Sequence, residues 1–300
     1  YRAARFRDRT PAYDRVNDDL RHLQPAFVRW FRKPPPPAAL PAAPGGEPAA
    51  ATDNGTFSGH AVPAVGPFAF FLGTDNLGRD VLRRLAQGTR IAFHVGVMTS
   101  LIALPLGVLL GCLGGYFGGR LDSVVVWLCT TVAAMPGLLL VLAIAMVVGK
   151  GLAGIYLGIG LTTWVSVCRN IRAEVIRQRG RTYVEAARVL GYSHGRVLFR
   201  HILPNVMHIV LISFSIRFPA AVGTEVFVSF LGIGVQGEPS WGVMLNNARS
   251  RLWQGVWWET TFVSLAIFGL VLAFNVLADR LRDLLDPALA GERDRHAERP

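Results

Sequence analysis

The stretch RNIRAEVIRQRGRTYVEAARVLGYSHGRVLFRHILPN, from Arg169 to Asn205, is the longest polar connection between apolar runs in this 300-residue chain. Thr182 followed three residues later by Glu185 has capping-box spacing, in which the hydroxyl and the carboxylate each take a backbone amide of the first turn. A helix is therefore expected from Thr182 through Ala186, Ala187, Arg188, Val189 and Leu190. Gly191 should end it, because glycine takes the left-handed closing position at least steric cost. Ser193 can cap a second helix carrying Val197, Leu198 and Ile202, and Pro204 marks the start of the next apolar run. The expected product is a helix, a tight turn and another helix. Ala186 and Ala187 offer little bulk, so a partner's groove can approach the backbone closely, with Tyr183 and Leu190 as anchors.

What flanks this hairpin decides the fold class. A bilayer core of about 30 Å takes roughly 20 helical residues. Residues 91–118 and 124–149 contain no Asp, Glu, Lys or Arg, and 151–168 and 261–278 are shorter runs of the same kind. A fifth run, 205–235, is interrupted only by Arg217 and Glu225. The expectation is an all-α polytopic membrane protein with five spans. Composition agrees: 51% of residues are hydrophobic and 17% charged, against about 25% charged in soluble domains, and mean hydropathy is +0.36. A soluble core of buried helices would need hydrophilic helices to cover these runs, and almost none are available.

The net charge of +11 suits either nucleic acid or a membrane surface, and the positions of the arginines decide between them. Arg169, Arg172, Arg177, Arg179, Arg181, Arg188, Arg196 and Arg200 crowd the hairpin loop, and Arg120 and the C-terminal arginines fall on the same side. Together these 14 outnumber two to one the 7 basic residues in the opposite side's loops and just ahead of the first apolar run. The nine in residues 1–72 belong to a long segment of the kind that largely escapes the rule. This places loop 169–204 and the tail 287–300 in the cytoplasm. Lipid is thus the expected contact and nucleic acid is not. Residues 1–72 then lie outside, with a Pro/Ala/Gly-rich linker at 34–66. The segment before the linker, PAYDRVNDDLRHLQPAFVRWF, suits packing on a membrane face or on a partner. Residues 73–90 read as an interfacial amphipathic helix with Asp75 as its cap and Val81, Leu82 and Leu85 on its apolar side.

Several single residues stand out. Arg217 and Glu225 are costly in lipid and should face a polar interior or an interface, although Arg217 can also snorkel toward the cytoplasmic end. Pro239, Ser240, Trp241 and Gly242 form a loop suited to an outer gate or docking surface, whereas Trp257 and Trp258 read as an aromatic belt. Pro105, Pro136 and Pro219 should kink their helices. The three cysteines form no disulfide framework or metal spacing. The histidines lack metal spacing, and there is no phosphate-binding loop, so no catalytic or metal site is expected.

Glu185, Ala186, Ala187, Gly191, Leu203 and Pro204 match, at the family spacing, the EAA loop of the integral membrane subunits of bacterial ATP-binding-cassette importers. His201 stands where the general pattern has isoleucine, and RHILPN resembles the version in peptide and nickel importers. GTDNLGRDVLRRLAQGTRIAF (73–93), SFLGIGVQGEPSWGVMLNNAR (229–249) and NVLADRLRDLLDP (275–287) are similar to segments of the second permease subunit of dipeptide and oligopeptide importers.

The resemblance implies a type I importer transmembrane domain over residues 91–286, with a sixth span expected upstream of Tyr1. It also implies that residues 185–204 couple to a separate ATPase and that Glu225 lies at the pathway or the permease interface. This chain would bind no cofactor itself, ATP and magnesium belonging to the ATPase. Implied partners are a second, different permease that pairs with this chain as a heterodimer, two ATPase subunits and an extracytoplasmic binding protein. The implied cargo is peptides or peptide-like compounds; nickel chelates share the scaffold, and a scaffold or channel without an ATPase would account for the spans but not for the hairpin.

Overall fold

The computed structural model describes Pro25, residues 71–75 and residues 77–285. The expected linker 34–66, the segment before it and the tail 287–300 lie outside the described residues. Within them the secondary structure is helical, and four helices are long and apolar enough to cross a membrane, or five if one bent pair counts as a span.

Helix α1 runs from Val81 to Phe117, a continuous 37 residues. The expected separate interfacial helix at 73–90 is therefore replaced by the first turns of α1 and a preceding loop. Asp80, not Asp75, caps the helix by accepting from the Leu82 amide at 2.9 Å. Asp75 instead organises the loop: its carboxylate accepts from the amides of Leu77 and Arg79 at 2.8 and 2.9 Å and from Arg79 Nε at 2.7 Å. A carboxylate with three donors from the next four residues stabilises a turn, which displaces the helix start past Gly78, whose φ is +68°.

The run at 124–149 is not one straight helix. Helix α2 (Gly119–Ala133) and helix α3 (Gly137–Val148) meet at 88°. Pro136 lies at the corner with no N–H to give, and it disfavours helical geometry at Met135. Pro105 and Pro219 are accommodated inside long helices.

Helix α4 (Leu152–Arg179) extends well past its uncharged run, so the first part of the polar loop is helical and continuous with the span. The short helix α5 covers Thr182–Val189. Helix α6 runs from His194 to Phe230, with one wide turn at Val197–Ile202 in which the Leu203 amide bonds back to the Leu198 carbonyl. Pro204 accounts for the wide turn: its ring would clash with the carbonyl four residues earlier in a regular helix. Asn205 Nδ2 then donates to the His201 carbonyl at 2.8 Å. The second arm of the hairpin and the following span are thus one rod. Helices α7 (Trp241–Arg249) and α8 (Trp258–Leu285) are the last two α-helices among the described residues.

The broadest contact joins α1 to α4. Gly107, Gly111 and Gly115, spaced four apart on one face of α1, meet the stretch Val167–Val175 of α4. A Cβ at Gly111 would lie 2.8 Å from the Cys168 carbonyl oxygen, and one at Gly115 would lie 2.8 Å from that of Arg172. Small residues let the two backbones touch, as helices in lipid require for tight packing. At the hairpin end Arg172 and Asp122 form a two-point ion pair that ties α4 to α2, one arm of it 2.6 Å long.

Candidate functional site

The hairpin closes at Gly191, with φ +78°. The Gly191 amide donates to the Arg188 carbonyl at 2.9 Å, and the Tyr192 amide donates to that of Ala187 at 3.2 Å. These are the two bonds of a Schellman stop, which needs a left-handed residue where Gly191 stands. The expected capping box is absent. Helix α5 is preceded by Arg181 in an extended conformation, and no side chain caps it. Thr182 is already inside the helix, one residue too late for its hydroxyl to reach the free amides. Glu185 remains in the first turn and exposed, where a negative charge suits the helix dipole.

The two alanines separate. Ala187 is buried against the rod beneath together with Val184, while Ala186 is exposed. Tyr183 and Leu190 are exposed as expected, but the barest apolar side chain of the hairpin is Val189, at 89% exposure, and Phe199 is also open. Sequence reasoning passed over both, since an exposed valine on a short helix looks the same as a core valine in the alphabet alone. Ser193 precedes α6 without a side-chain cap bond. His201 stacks on Tyr192 with ring centroids 5.6 Å apart, and Arg196 lies 5.4 Å from the Tyr192 centroid. With Arg200 they line a basic cavity of about 360 Å³. Leu203 is half-buried and Pro204 exposed. Tyr116, at the end of α1, hydrogen-bonds His194 Nδ1 at 3.0 Å and lies under the Arg188 guanidinium, so the turn is also anchored from a distant helix.

A second site lies midway along the long helices. A cavity of about 480 Å³ opens between α1, the α2–α3 corner, α4 and α6. Arg217, Ala220, Ala221 and Thr224 reach it from one face of α6 at helical spacing. The Arg217 guanidinium donates to Ser166 Oγ and to the Thr163 carbonyl, both on α4. It therefore reaches across to a neighbouring helix at mid-length, and the snorkelling expectation is corrected.

Glu225, two turns further along α6, is directed elsewhere. It is 1% exposed, lines no part of this cavity and accepts from Ser229 Oγ at 2.7 Å, with Ser240 as another partner. Ser229 Oγ in turn accepts from the Val235 amide at 3.1 Å. Glu225 thus pins the loop after α6 to its own chain, in place of the expected pathway or permease-interface position.

The loop at 239–242 is likewise turned inward. Trp241 is 2% exposed and donates from Nε1 to the Leu85 carbonyl at 3.1 Å, and Gly242 packs on Val226 and Ser229. The Pro239 carbonyl lies against Gly88 of α1. Trp258, expected at a headgroup belt, is buried and donates to the Thr74 carbonyl at 3.0 Å, while Trp257 is exposed. A buried indole needs an acceptor for its N–H, and both acceptors are supplied by residues 74–85. The gate or docking surface expected at Pro239, Trp241 and Gly242 is a packed seam in the structure.

Long apolar helices, a glycine-lined crossing and a hairpin built into the foot of a spanning rod define the transmembrane domain of a transporter. Two solved structures share the fold: an amino acid ABC transporter crystallised with histidines, with TM-score 0.54 and 16% identity over 68% of this chain and 95% of that one, and the inward-facing methionine ABC transporter MetNI, with TM-score 0.50 and 16% identity over 67% and 96%. Residues 103–291 match the family described as "Binding-protein-dependent transport system inner membrane component", and the chain belongs to that family. It is 39% identical over 222 residues to the glutathione transport system permease protein GsiD of Pectobacterium atrosepticum, covering 74% of this chain and 73% of the relative. It is also 39% identical over 220 residues to the dipeptide transport system permease protein DppC of Bacillus subtilis, covering 73% and 69%.

Proposed function

We propose that this chain is one of two permease subunits, paired as a heterodimer, that carry peptides or peptide-like compounds across the bacterial cytoplasmic membrane. The names of its relatives, which include glutathione, dipeptide and oligopeptide permeases, support the cargo class. Two ATPase subunits bind ATP and magnesium and hydrolyse the nucleotide, and an extracytoplasmic binding protein delivers the cargo. The chain itself is the transport subunit and performs no hydrolysis.

One observation carries the coupling role. The hairpin exposes Tyr183, Val189 and Leu190 on its first arm and turn, and its second arm continues as one helix into the span of α6. A push on the hairpin is therefore delivered along a rod to Arg217 and Phe218 at mid-span, as rigid-body switching requires. Glu185, Ala186, Gly191, His201, Leu203 and Pro204 are assigned to the docking turn and its hinge, with Ala187 as its inward packing contact.

Gly191→Val tests this. Nothing lies within 4 Å of a Cβ at Gly191, so the substitution acts through backbone conformation alone, at about 1–2 kcal/mol. The expected result is normal membrane abundance with less ATPase recovered on co-purification in mild detergent and slower uptake. Gly191→Asn, which tolerates the left-handed region better, should be milder. A cysteine at Ala186 should crosslink to the ATPase. Full ATPase recovery and uptake in Gly191→Val, with no crosslink from position 186, would overturn the coupling assignment.

A further inference from the structure

We infer that Arg217 holds the carboxylate of the transported peptide as it crosses the mid-membrane cavity; this rests on the peptide reading above. The cavity is lined by two guanidinium-bearing residues, Arg169 and Arg217, by Asn170 and by hydroxyls, with no Asp or Glu among its lining residues. Among the described residues Arg217 has no carboxylate in ion-pair range. A cation placed midway along apolar helices without a countercharge is costly, and an anionic group arriving with the cargo would supply the missing charge. The two acceptors on α4 leave donors to spare on a group that carries five N–H bonds. A guanidinium fork also fits a carboxylate at two points.

The hydroxyls point the same way. Thr99 donates to the Val95 carbonyl at 2.7 Å and Ser100 to that of Gly96 at 2.7 Å. Thr162 donates to Gly158 at 2.7 Å, Thr163 to Ile159 at 2.7 Å and Thr224 to Ala220 at 2.9 Å. Each proton is committed to the hydroxyl's own helix, so what these groups offer a guest is an oxygen lone pair. The wall accepts hydrogen bonds and the arginine donates them. A zwitterionic peptide, with amide and ammonium N–H groups and one terminal carboxylate, is complementary to both. Ala103, Ala133, Ala220 and Gly137 keep the space open.

The test compares uptake of trialanine with uptake of trialanine amide in cells carrying the complete transport system, with wild-type, Arg217→Gln and Arg217→Lys permeases. The binding protein is the same throughout, so its own preference cancels in the comparison. Arg217→Gln is expected to slow trialanine uptake roughly 10-fold, the loss of one charge-assisted bond, while changing amide uptake less than about 2-fold. Arg217→Lys should fall between. Amide uptake reports folding and coupling directly. Equal loss of both peptides in Arg217→Gln, or no loss of either, overturns the carboxylate assignment and leaves the peptide reading standing. Failure of the wild-type system to import either peptide overturns both.

Discussion

Replacing Arg251 with methionine is expected to cost about 3–5 kcal/mol of stability, because it strands a buried carboxylate. Arg251 is 5% exposed and Glu259 1% exposed, and their NH2–Oε2 distance is 2.8 Å. Arg251 also donates from Nε to the Asn247 carbonyl at 3.0 Å. The pair joins the end of α7 to the start of α8, and Asp75 and Arg84 are near enough to act on Glu259 electrostatically. Removing Arg251 takes away the cation hydrogen-bonded to Glu259 and leaves Arg84 to be shared between two buried acids, Asp75 and Glu259. Thermal unfolding in detergent, followed by tryptophan fluorescence, should show the loss, since Trp258 adjoins the pair. The double variant Arg251→Met with Glu259→Leu should recover most of it, because a buried ion pair and a well-packed apolar pair differ little in net stability. A double variant no more stable than Arg251→Met would mean that packing, not charge, is what Arg251 supplies.

Gly111→Leu is expected to damage the bundle at its broadest helix crossing. Even a methyl group there would meet the Cys168 carbonyl at 2.8 Å, Ile171 Cβ at 3.0 Å and the Arg172 amide nitrogen at 3.1 Å. Two of the three obstacles are backbone, so no rotamer change relieves them, and α1 must separate from α4. Overpacking in cores costs about 1–3 kcal/mol where side chains can yield, and this site should reach or pass the upper end. The measurement is membrane abundance together with the unfolding midpoint. Gly269→Leu is the matched control: Gly269 is exposed in α8 with nothing within 4 Å of a Cβ, and near-wild-type behaviour is expected. Equal loss in both variants would mean that leucine is harmful at either glycine for reasons unrelated to the crossing.

The spans and the hairpin were legible in the sequence because their signals are local. An uncharged run of bilayer length, a proline in a helix and a glycine after a short helix each act through neighbours a few residues away. The left-handed turn at Gly191 and the corner at Pro136 both appear where those signals stand. Thr182 shows the limit of such reading: the capping-box spacing is present, yet a helix beginning one residue earlier leaves the hydroxyl without its role. Asp75 shows it again, since the same carboxylate suits a helix cap or a turn and its neighbouring amides made it the centre of a turn.

What the sequence by itself determined is that this chain crosses a membrane several times and carries an exposed polar hairpin closed by Gly191. Where the polar side chains of its apolar helices go was decided only by tertiary structure. Arg217 finds Ser166, Trp241 finds Leu85 and Trp258 finds Thr74, all partners far off in the chain. A buried donor or charge must be satisfied somewhere, but which distant helix supplies the partner depends on how closely the helices pack. That closeness is set by glycines on α1 meeting the backbone of α4.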